Sequence, residues 1–309
     1  MHLKIKSRHT ANSKLGMMNI NLKNMNNDLP KISVLLPVYN TNEKHLRECI
    51  ESILNQTFKD FELVILNDAS TVDLDKIINS YSDSRIRYYK NETNLGITKS
   101  RNKLLELAQG KYVAVADHDD ISLPKRLEKE YYFLENNPDI SLVCGWIECF
   151  NEKNGKKKIC KFKVRPKYMD IFRGCGLMHP ACMWRRSDFE KYNLKYEEGY
   201  FGAQDYALFA KAIRYLNFAG LKEIILKYRQ HSANASKQKR EMALEIDKVK
   251  EEMLDFLCSN QKDKELLWNK FFLPETGFIK NIFSVENFQI YKVVRIFGFI
   301  FKIKRFVTN

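Results

Sequence analysis

The amino-acid sequence predicts an α/β fold in which a mostly parallel central sheet is flanked by helices and followed by a helical C-terminal extension. Short apolar segments alternate with segments of helical period between residues 31 and 120, as in parallel sheets covered on both faces. The region from 237 to about 258 is highly charged and has helical spacing. The hydrophobic fraction of 44% in 309 residues is enough for a large core.

Four strands and three helices are predicted in the first half of the chain. The apolar segments ISVLLPVYN, FELVILND, RIRYYKN and YVAVADHDD are typical of buried strands. Between them, helices are predicted over Glu43–Asn55, Leu74–Tyr81 and Ile97–Ala108. Ligands of open parallel sheets bind beyond the carboxyl ends of the strands, so PVYN, NDAS and DHDD are expected to line a cleft.

The second half of the chain has a less regular pattern. Helices are predicted from Pro124 to about Asn136 and from Ala203 to Tyr215, and a short helix at about 168–172. The segments SLVCGWIECF, ACMWR and EIILKYRQ are predicted strands. Residues 1–29 are polar and show no period, which predicts a flexible extension.

Composition disfavours several classes of protein. No apolar run reaches the roughly 18 residues of a membrane-spanning helix. The chain opens without a secretion leader, so the cytoplasm is the expected compartment. Its seven cysteines lack a paired CxxC pattern, which favours reduced, buried thiols over disulfides or a zinc site.

The formal net charge of +14 is unevenly distributed. Residues 151–173 contain nine Lys or Arg against two acids, and residues 287–309 contain five against none. Such a charge is compatible with nucleic acid, an anionic membrane or a phosphate-rich substrate, although a solvated face is the commonest explanation for any single lysine.

The common glycine-rich phosphate loops are absent from the sequence. Neither GxxxxGK[ST] nor GxGxxG follows the first strand, where PVYN stands instead, which disfavours a P-loop enzyme or an ordinary dinucleotide-binding fold. A nucleotide can still bind if the ring of Tyr39 packs against the base and Asp68 accepts a hydrogen bond from it. From the local sequence, a helix cap or turn is the competing interpretation of Asp68.

Acidic residues follow the fourth predicted strand directly. Asp117 and Asp119 are one residue apart at a strand end, and paired carboxylates of this type suit Mg²⁺ or Mn²⁺ bridging a diphosphate. A turn into the next helix is the alternative explanation for Asp119 or Asp120. His118 alternates with the two acids in strand register and is expected to point away from them.

Seven segments together resemble the family 2 glycosyltransferases, the inverting enzymes of the GT-A fold. In chain order they are ISVLLPVYN, FELVILNDAS, NLGITKSRN, VAVADHDDISLPKRL, HPACMWRRS, QDYALFAKA and YRQHSANAS, spanning about residues 30–236. The resemblance implies a GT-A-like fold with a nucleotide-sugar-binding half at 30–150 and an acceptor-binding half with the catalytic base at 151–236. Residues 237–309 are expected to form a helical, basic C-terminal region.

The resemblance implies which residues bind the nucleotide. Pro37 and Tyr39 match the motif that lines the base, and Asp68 matches the acid that pairs with it. The segment expected to run beneath the nucleotide contains Asn94, Gly96, Arg101 and Asn102.

A divalent metal is also implied, either Mn²⁺ or Mg²⁺. Asp117 matches the acid that reaches the ribose or the metal, and Asp119 matches the acid that binds the metal. His231 is a further candidate ligand, with a packing role as the alternative.

The expected general base is Asp205, which matches the acid of the family's Glu-Asp pair. Gln204 stands where the family usually has Glu, which puts in doubt any role that depends on a second carboxylate. Without the flanking motifs, an acid at the start of a helix is explained by the helix dipole. His179 and Gln204 are assigned to the acceptor side, although a packing role is as plausible for His179.

The implied function is inverting transfer of a sugar from a nucleotide sugar, most simply a UDP-sugar, to a saccharide or lipid-linked acceptor in surface-glycan synthesis, such as capsule or lipopolysaccharide. Residues 287–309 suit an amphipathic element on the inner face of an anionic membrane or, alternatively, a helix covering the core. Nucleic-acid binding is a competing hypothesis that rests on charge alone. A sugar nucleotidyltransferase is another, but such enzymes usually carry a glycine-rich loop where PVYN stands.

Overall fold

The computed structural model describes residues 29–174, 176–231 and 239–272, together with three C-terminal strands. The predicted flexible extension falls, up to residue 28, outside the described residues.

The first half of the chain forms the parallel part of the main sheet, in the order β3-β2-β1-β4. These strands are β1 (Ile32–Val38), β2 (Phe61–Asn67), β3 (Ile86–Lys90) and β4 (Tyr112–Val115). Every residue of β1 and β2 is buried, because helices cover both faces of the sheet. The predicted alternation of strands and helices is confirmed here.

The second half extends the same sheet. It contributes β5 (Ile121–Ser122), β6 (Leu142–Asn151), β7 (Lys157–Cys160), β8 (Cys182–Arg185) and β9 (Phe218–Gln230). Of these, β8 pairs antiparallel with β4 and β6, while β9 pairs parallel with β6. The short strands β5 and β7 pair antiparallel with β9 and β6, so only β5, β7 and β8 run against the other six strands of the main sheet.

Two strand predictions need correction. The pattern EIILKYRQ predicts only the last part of β9, which begins at Phe218 because 218–220 pair with 142–144 before a bulge. The sequence analysis missed β5 and β7. A strand of two residues, such as β5, is too short to show a period, and β7 consists largely of exposed lysines.

Nine helices surround the sheet within the described part of the chain. They are α1 (Glu43–Leu54), α2 (Leu74–Ile78), α3 (Ile97–Leu107), α4 (Arg126–Asn136), α5 (Tyr168–Arg173), α6 (Arg186–Lys191), α7 (Gln204–Ala212), α8 (Lys239–Leu257) and α9 (Gln261–Phe272), with a 3₁₀ turn at His179–Ala181. Alternate residues of β1 enter opposite cores. Val34 and Leu36 pack on the side of α1, α2 and α4, and Leu35 packs on the side of α3, α7 and α8.

The C-terminal region is helical only in part. Helices α8 and α9 agree with the prediction, but β10 (Phe283–Asn287), β11 (Tyr291–Ile296) and β12 (Phe299–Lys304) form a separate antiparallel sheet. The expected helical region was therefore wrong beyond α9, and the rich content of Val, Ile and Phe in these segments favours strands. In the described residues, none of the helices has the length and apolarity needed to cross a membrane.

Candidate active site

The carboxyl ends of β1, β2 and β4 lie side by side at one edge of the sheet. This register places the residues after β1 beside Asp68 and Asp117, as the sequence predicts. Tyr39 is 47% exposed just beyond β1 and is available to a ligand. Pro37 is buried within β1. Its predicted role in lining the base stays a prediction.

Asp68 organises the loop that precedes α3. Its Oδ1 accepts from the backbone N–H of Leu95 (2.9 Å) and from Asn91 Nδ2 (2.7 Å), and its Oδ2 accepts from the N–H of Gly96 (2.9 Å). Asn94 Nδ2 donates to the carbonyl of Asp68 at 3.3 Å. Gly96 has a φ of +81°, which favours glycine at this turn. Asp68, Asn94 and Gly96 thus form one structural unit, and Asp68 is neither a helix cap nor an isolated turn residue.

The acidic turn after β4 holds the two predicted metal ligands. The side chains of Asp117 and Asp119 are 27% and 13% exposed, and His231 Nε2 lies 2.8 Å from Asp119 Oδ2. Within the described residues, no three His, Cys, Asp or Glu side chains converge into a metal site of their own. Carboxylate oxygens and an imidazole nitrogen nevertheless fit Mn²⁺ or Mg²⁺ when a diphosphate and water complete the coordination.

The other two polar residues of the turn face elsewhere. His118 Nδ1 shares a hydrogen bond with Thr41 Oγ1 (2.7 Å), so its ring is directed away from the carboxylates as expected. Asp120 does more than shape the turn, because it is 2% exposed and its Oδ1 accepts from the backbone N–H of Arg229 (3.0 Å). Burial, together with the charges of Asp117 and Asp119, raises the pKa of Asp120 well above its usual range.

Arg229 is a site residue that the sequence analysis missed. Its Nε donates to the carbonyl of Asp119 (2.8 Å), and its two Nη atoms bind Glu152 (2.6 Å) and Glu48. The guanidinium lies 4.9 Å from the ring centroid of Phe150. The position of Arg229 two residues before His231 in YRQH was the available signal, but its carboxylate partners are distant in sequence.

Arg101 joins the acidic turn to α7. Its Nη2 donates to Asp117 Oδ1 at 2.9 Å, and its guanidinium lies 5.7 Å from the ring centroid of Tyr196. In the amide orientation that satisfies both of its groups, Gln204 accepts from Arg101 Nη1 (3.0 Å) and donates to the carbonyl of Phe201 (2.8 Å). Arg101 is 8% exposed, so its guanidinium lies largely behind Asp117 and Gln204.

Asp205 is the second residue of α7 and is partly exposed. Its Oδ1 accepts from the backbone N–H of Tyr206 at 2.7 Å. Burial raises the pKa of Asp205 above its ordinary value, and the nearby positive charge of Arg101 opposes this rise. A carboxylate with these properties can accept a proton from a hydroxyl group.

Two residues predicted on the acceptor side are buried instead. His179 is 3% exposed, and its Nε2 lies 2.8 Å from Tyr196 Oη. Burial, followed by repulsion from Arg101, lowers the pKa of His179 well below its usual range, so the ring is neutral. Gln204 is 7% exposed and binds Arg101. Asn102 holds the backbone of Tyr196 through two hydrogen bonds (2.8 and 2.9 Å).

Comparison with known sequences identifies relatives of this arrangement. A profile described as Glycosyl transferase family 2 matches residues 33–214. The chain is 41% identical to an uncharacterized glycosyltransferase of Methanocaldococcus jannaschii over 211 residues, 65% of this chain and 71% of the relative. It is 31% identical over 233 residues to the O-antigen biosynthesis glycosyltransferase WbnJ of Escherichia coli, which covers 70% of this chain and 85% of that protein.

Solved structures share the fold. The structure of S. aureus TarS residues 1–349 in complex with UDP-GlcNAc has a TM-score of 0.64 at 20% identity, covering 78% of this chain and 71% of that chain. The mannosyltransferase PcManGT from Pyrobaculum calidifontis, in complex with GDP-Man and Mn²⁺, has a TM-score of 0.55 at 14% identity, covering 79% and 70%. At these identities the likeness concerns the fold.

Proposed function

Because the chain belongs to glycosyltransferase family 2, we propose that it moves a sugar from a nucleotide-sugar donor to a hydroxyl of a saccharide or lipid-linked acceptor with inversion at the anomeric carbon. The carrying observation is that Arg101 connects Asp117 of the acidic turn to the start of the helix that bears Asp205. The hydrogen bonds of Arg101 thus connect Asp117, which is proposed to lie on the side of the diphosphate, to the helix that carries the candidate base Asp205.

The donor is proposed to lie along the carboxyl edge of β1, β2 and β4. Tyr39 would pack against the base, and Asp68 would position the 94–96 loop around it and accept from a base N–H through a remaining lone pair. A UDP-sugar is the simplest donor, and the TarS complex with UDP-GlcNAc supports this choice.

A divalent cation is proposed at Asp119, with Asp117 and His231 as further ligands. When bound, Mn²⁺ or Mg²⁺ would neutralise negative charge on the departing diphosphate. His231 Nε2 lies 2.8 Å from Asp119 Oδ2, close enough for both side chains to reach one cation, and Arg229 Nε donates to the Asp119 carbonyl (2.8 Å). The Mn²⁺ in the PcManGT complex supports the proposal of a divalent cation.

Asp205 is proposed to act as the general base. Its carboxylate would take the proton from the acceptor hydroxyl as that oxygen attacks from the face opposite the nucleotide. Arg101 keeps Asp117 and the first turn of α7 in a fixed relation, which preserves the geometry of attack.

The acceptor is proposed to belong to a bacterial-type surface glycan, which the O-antigen relative supports. We propose that the protein acts in the cytoplasm, with peripheral contact to the inner membrane face through residues 287–309. The earlier alternatives, nucleic-acid binding and nucleotidyl transfer, have no specific observation in their favour.

A thermal-shift screen of UDP, GDP and their sugars, each with and without Mn²⁺, tests donor and metal together. We expect a UDP-sugar to raise the melting temperature more in the presence of Mn²⁺ than in its absence. Stabilisation by DNA or RNA but by no nucleotide sugar would contradict the proposal.

A further inference from the structure

The loop at residues 199–203 leads into α7, and Asp205 lies just beyond it. Ala203 occupies the N-cap position of α7 and has no side-chain oxygen that could cap the helix. Gly199 has a φ of +95°, so the loop begins with a sharp turn. The local sequence of the loop therefore does little to fix the start of the helix.

Glu245 of α8 binds this loop from outside. Its Oε1 accepts from the backbone N–H of Phe201 (2.8 Å), and its Oε2 accepts from the N–H groups of Gly202 and Ala203 (both 2.8 Å). Three consecutive amides that converge on one carboxylate make charge-assisted hydrogen bonds, which are stronger than neutral ones. Glu245 lies beyond residue 214, the last residue that the family profile matches.

The same loop is tied to the nucleotide side of the site. Thr98 of α3 donates to the carbonyl of Tyr200 at 2.8 Å. Gln204 connects the carbonyl of Phe201 to Arg101. From α8, the loop is held by Glu252, which accepts from the Tyr200 hydroxyl (2.8 Å), and by Glu245, which alone of these residues binds the three N–H groups next to α7.

We propose that Glu245 is a positioning residue for Asp205 and that α8 is a working part of the active site. This inference rests on the proposed role of Asp205 as the base. Release of the three amides would let the first turn of α7 shift, and a displacement of about 1 Å at a reacting group can cost on the order of 100-fold in rate.

Glu245→Gln tests this with little change in shape. An amide group has one acceptor oxygen and one donor nitrogen. Only one of the two positions that the carboxylate oxygens of Glu245 occupy can therefore still accept a hydrogen bond. At least one of the three N–H groups then loses its partner. Glu251→Gln is the matched control, because Glu251 is exposed on the same helix and the change in charge is identical.

Amide hydrogen exchange tests the anchor without any ligand. We expect the amides of residues 201–203 to exchange at least about fivefold faster in Glu245→Gln and at the wild-type rate in Glu251→Gln. Unchanged exchange in Glu245→Gln would overturn the proposal at this step.

Kinetics then test the link to Asp205. For hydrolysis of the UDP-sugar that gives the largest thermal shift, Glu245→Gln should lower kcat by about 10- to 100-fold, with the donor KM and the Kd of UDP within about twofold. In the Asp205→Asn background, adding Glu245→Gln should lower kcat by less than about a further twofold, because the carboxylate that Glu245 positions is already absent.

Three kinetic outcomes would overturn the inference. These are an unchanged kcat, a parallel loss of UDP binding, and a full additional loss in the double variant. Failure of the proposed function is separately visible as the absence of binding and turnover of every nucleotide sugar in wild type, and failure of the base assignment as normal turnover in Asp205→Asn.

Discussion

At the scale of single residues, Asp205 combines partial burial with a free carboxylate oxygen in the described structure. Its pKa is raised by burial, so the base is lost as the pH falls through this raised value, and activity should decline at a higher pH than an ordinary aspartate would allow. Asp205→Asn keeps the size of the side chain but removes the base. We expect kcat to fall by about 10²- to 10⁴-fold.

Binding measurements separate chemistry from folding in this variant. Titration calorimetry should give a Kd for UDP within about twofold of wild type for Asp205→Asn. A variant that kept its turnover would remove Asp205 from the mechanism.

Asp119 belongs to the same scale, and its replacement tests the metal. Asp119→Ala should abolish the extra thermal stabilisation that Mn²⁺ gives with a UDP-sugar. Turnover should fall by more than the 10- to 100-fold typical of residues that only support a ligand. Asp139→Ala removes an exposed acid elsewhere and should leave both properties unchanged. Normal turnover in Asp119→Ala would refute the metal assignment.

At the scale of elements, α4 carries a fully buried ion pair beneath the acidic turn. Arg126 Nε lies 3.1 Å from Glu130 Oε2, and Arg126 Nη2 donates to the carbonyl of Val115 (2.7 Å) at the end of β4. Burial raises the pKa of Glu130 to about 7, against the opposing attraction of Arg126. Arg126 therefore contacts both the end of β4 and a helix residue, Glu130, whose protonation changes with pH.

The sign of the resulting pH dependence follows from that shift. Because the pKa of Glu130 is higher in the folded than in the unfolded state, its stabilising contribution is complete below about pH 4.5 and is lost as the pH rises through about 7. Glu130→Gln cannot ionise. As the pH rises from 5 to 8, the difference in free energy of unfolding between variant and wild type should therefore shift by about 1–3 kcal/mol in favour of the variant. Calorimetric melting of both proteins across this range checks the prediction, and parallel melting curves would contradict it.

At the scale of the whole molecule, α8 is part of the core although it follows the family domain. Val249, Met253 and Leu254 are at most 1% exposed and pack in the same cluster as α7. Burial of each side chain contributes about 1.5–3 kcal/mol. A chain ending at residue 236 should therefore melt at least about 10 °C lower or aggregate.

A chain ending at residue 272 is the appropriate comparison for that truncation. It retains α8 and α9 and lacks the C-terminal strands β10, β11 and β12. We expect it to melt close to the full-length protein by circular dichroism. Equal stability of the two truncated chains would show that α8 adds little.

The sequence allowed the parallel half and the edge that carries Asp68, Asp117 and Asp119 to be predicted, because buried strands and their polar ends are local patterns. It did not reveal Arg229 or Glu245, whose partners lie far away along the chain. His179 was assigned to the acceptor side because a motif match does not report burial. The C-terminal strands were missed because a short apolar and basic segment is compatible with either period.

The pairing of β9 with β5 and β6 has a consequence for how the protein is made. His231 meets Asp119 across 112 residues, so this contact cannot form until the ribosome has passed β9. At about 5–20 residues per second, roughly 5–20 s separate the synthesis of these two residues. In the later part of that interval, after β6 is made and before β9 is made, the edge of β6 that β9 later covers is open to other strands. Chaperone binding to nascent chains should therefore be strongest after β6 emerges and decline once β9 has paired.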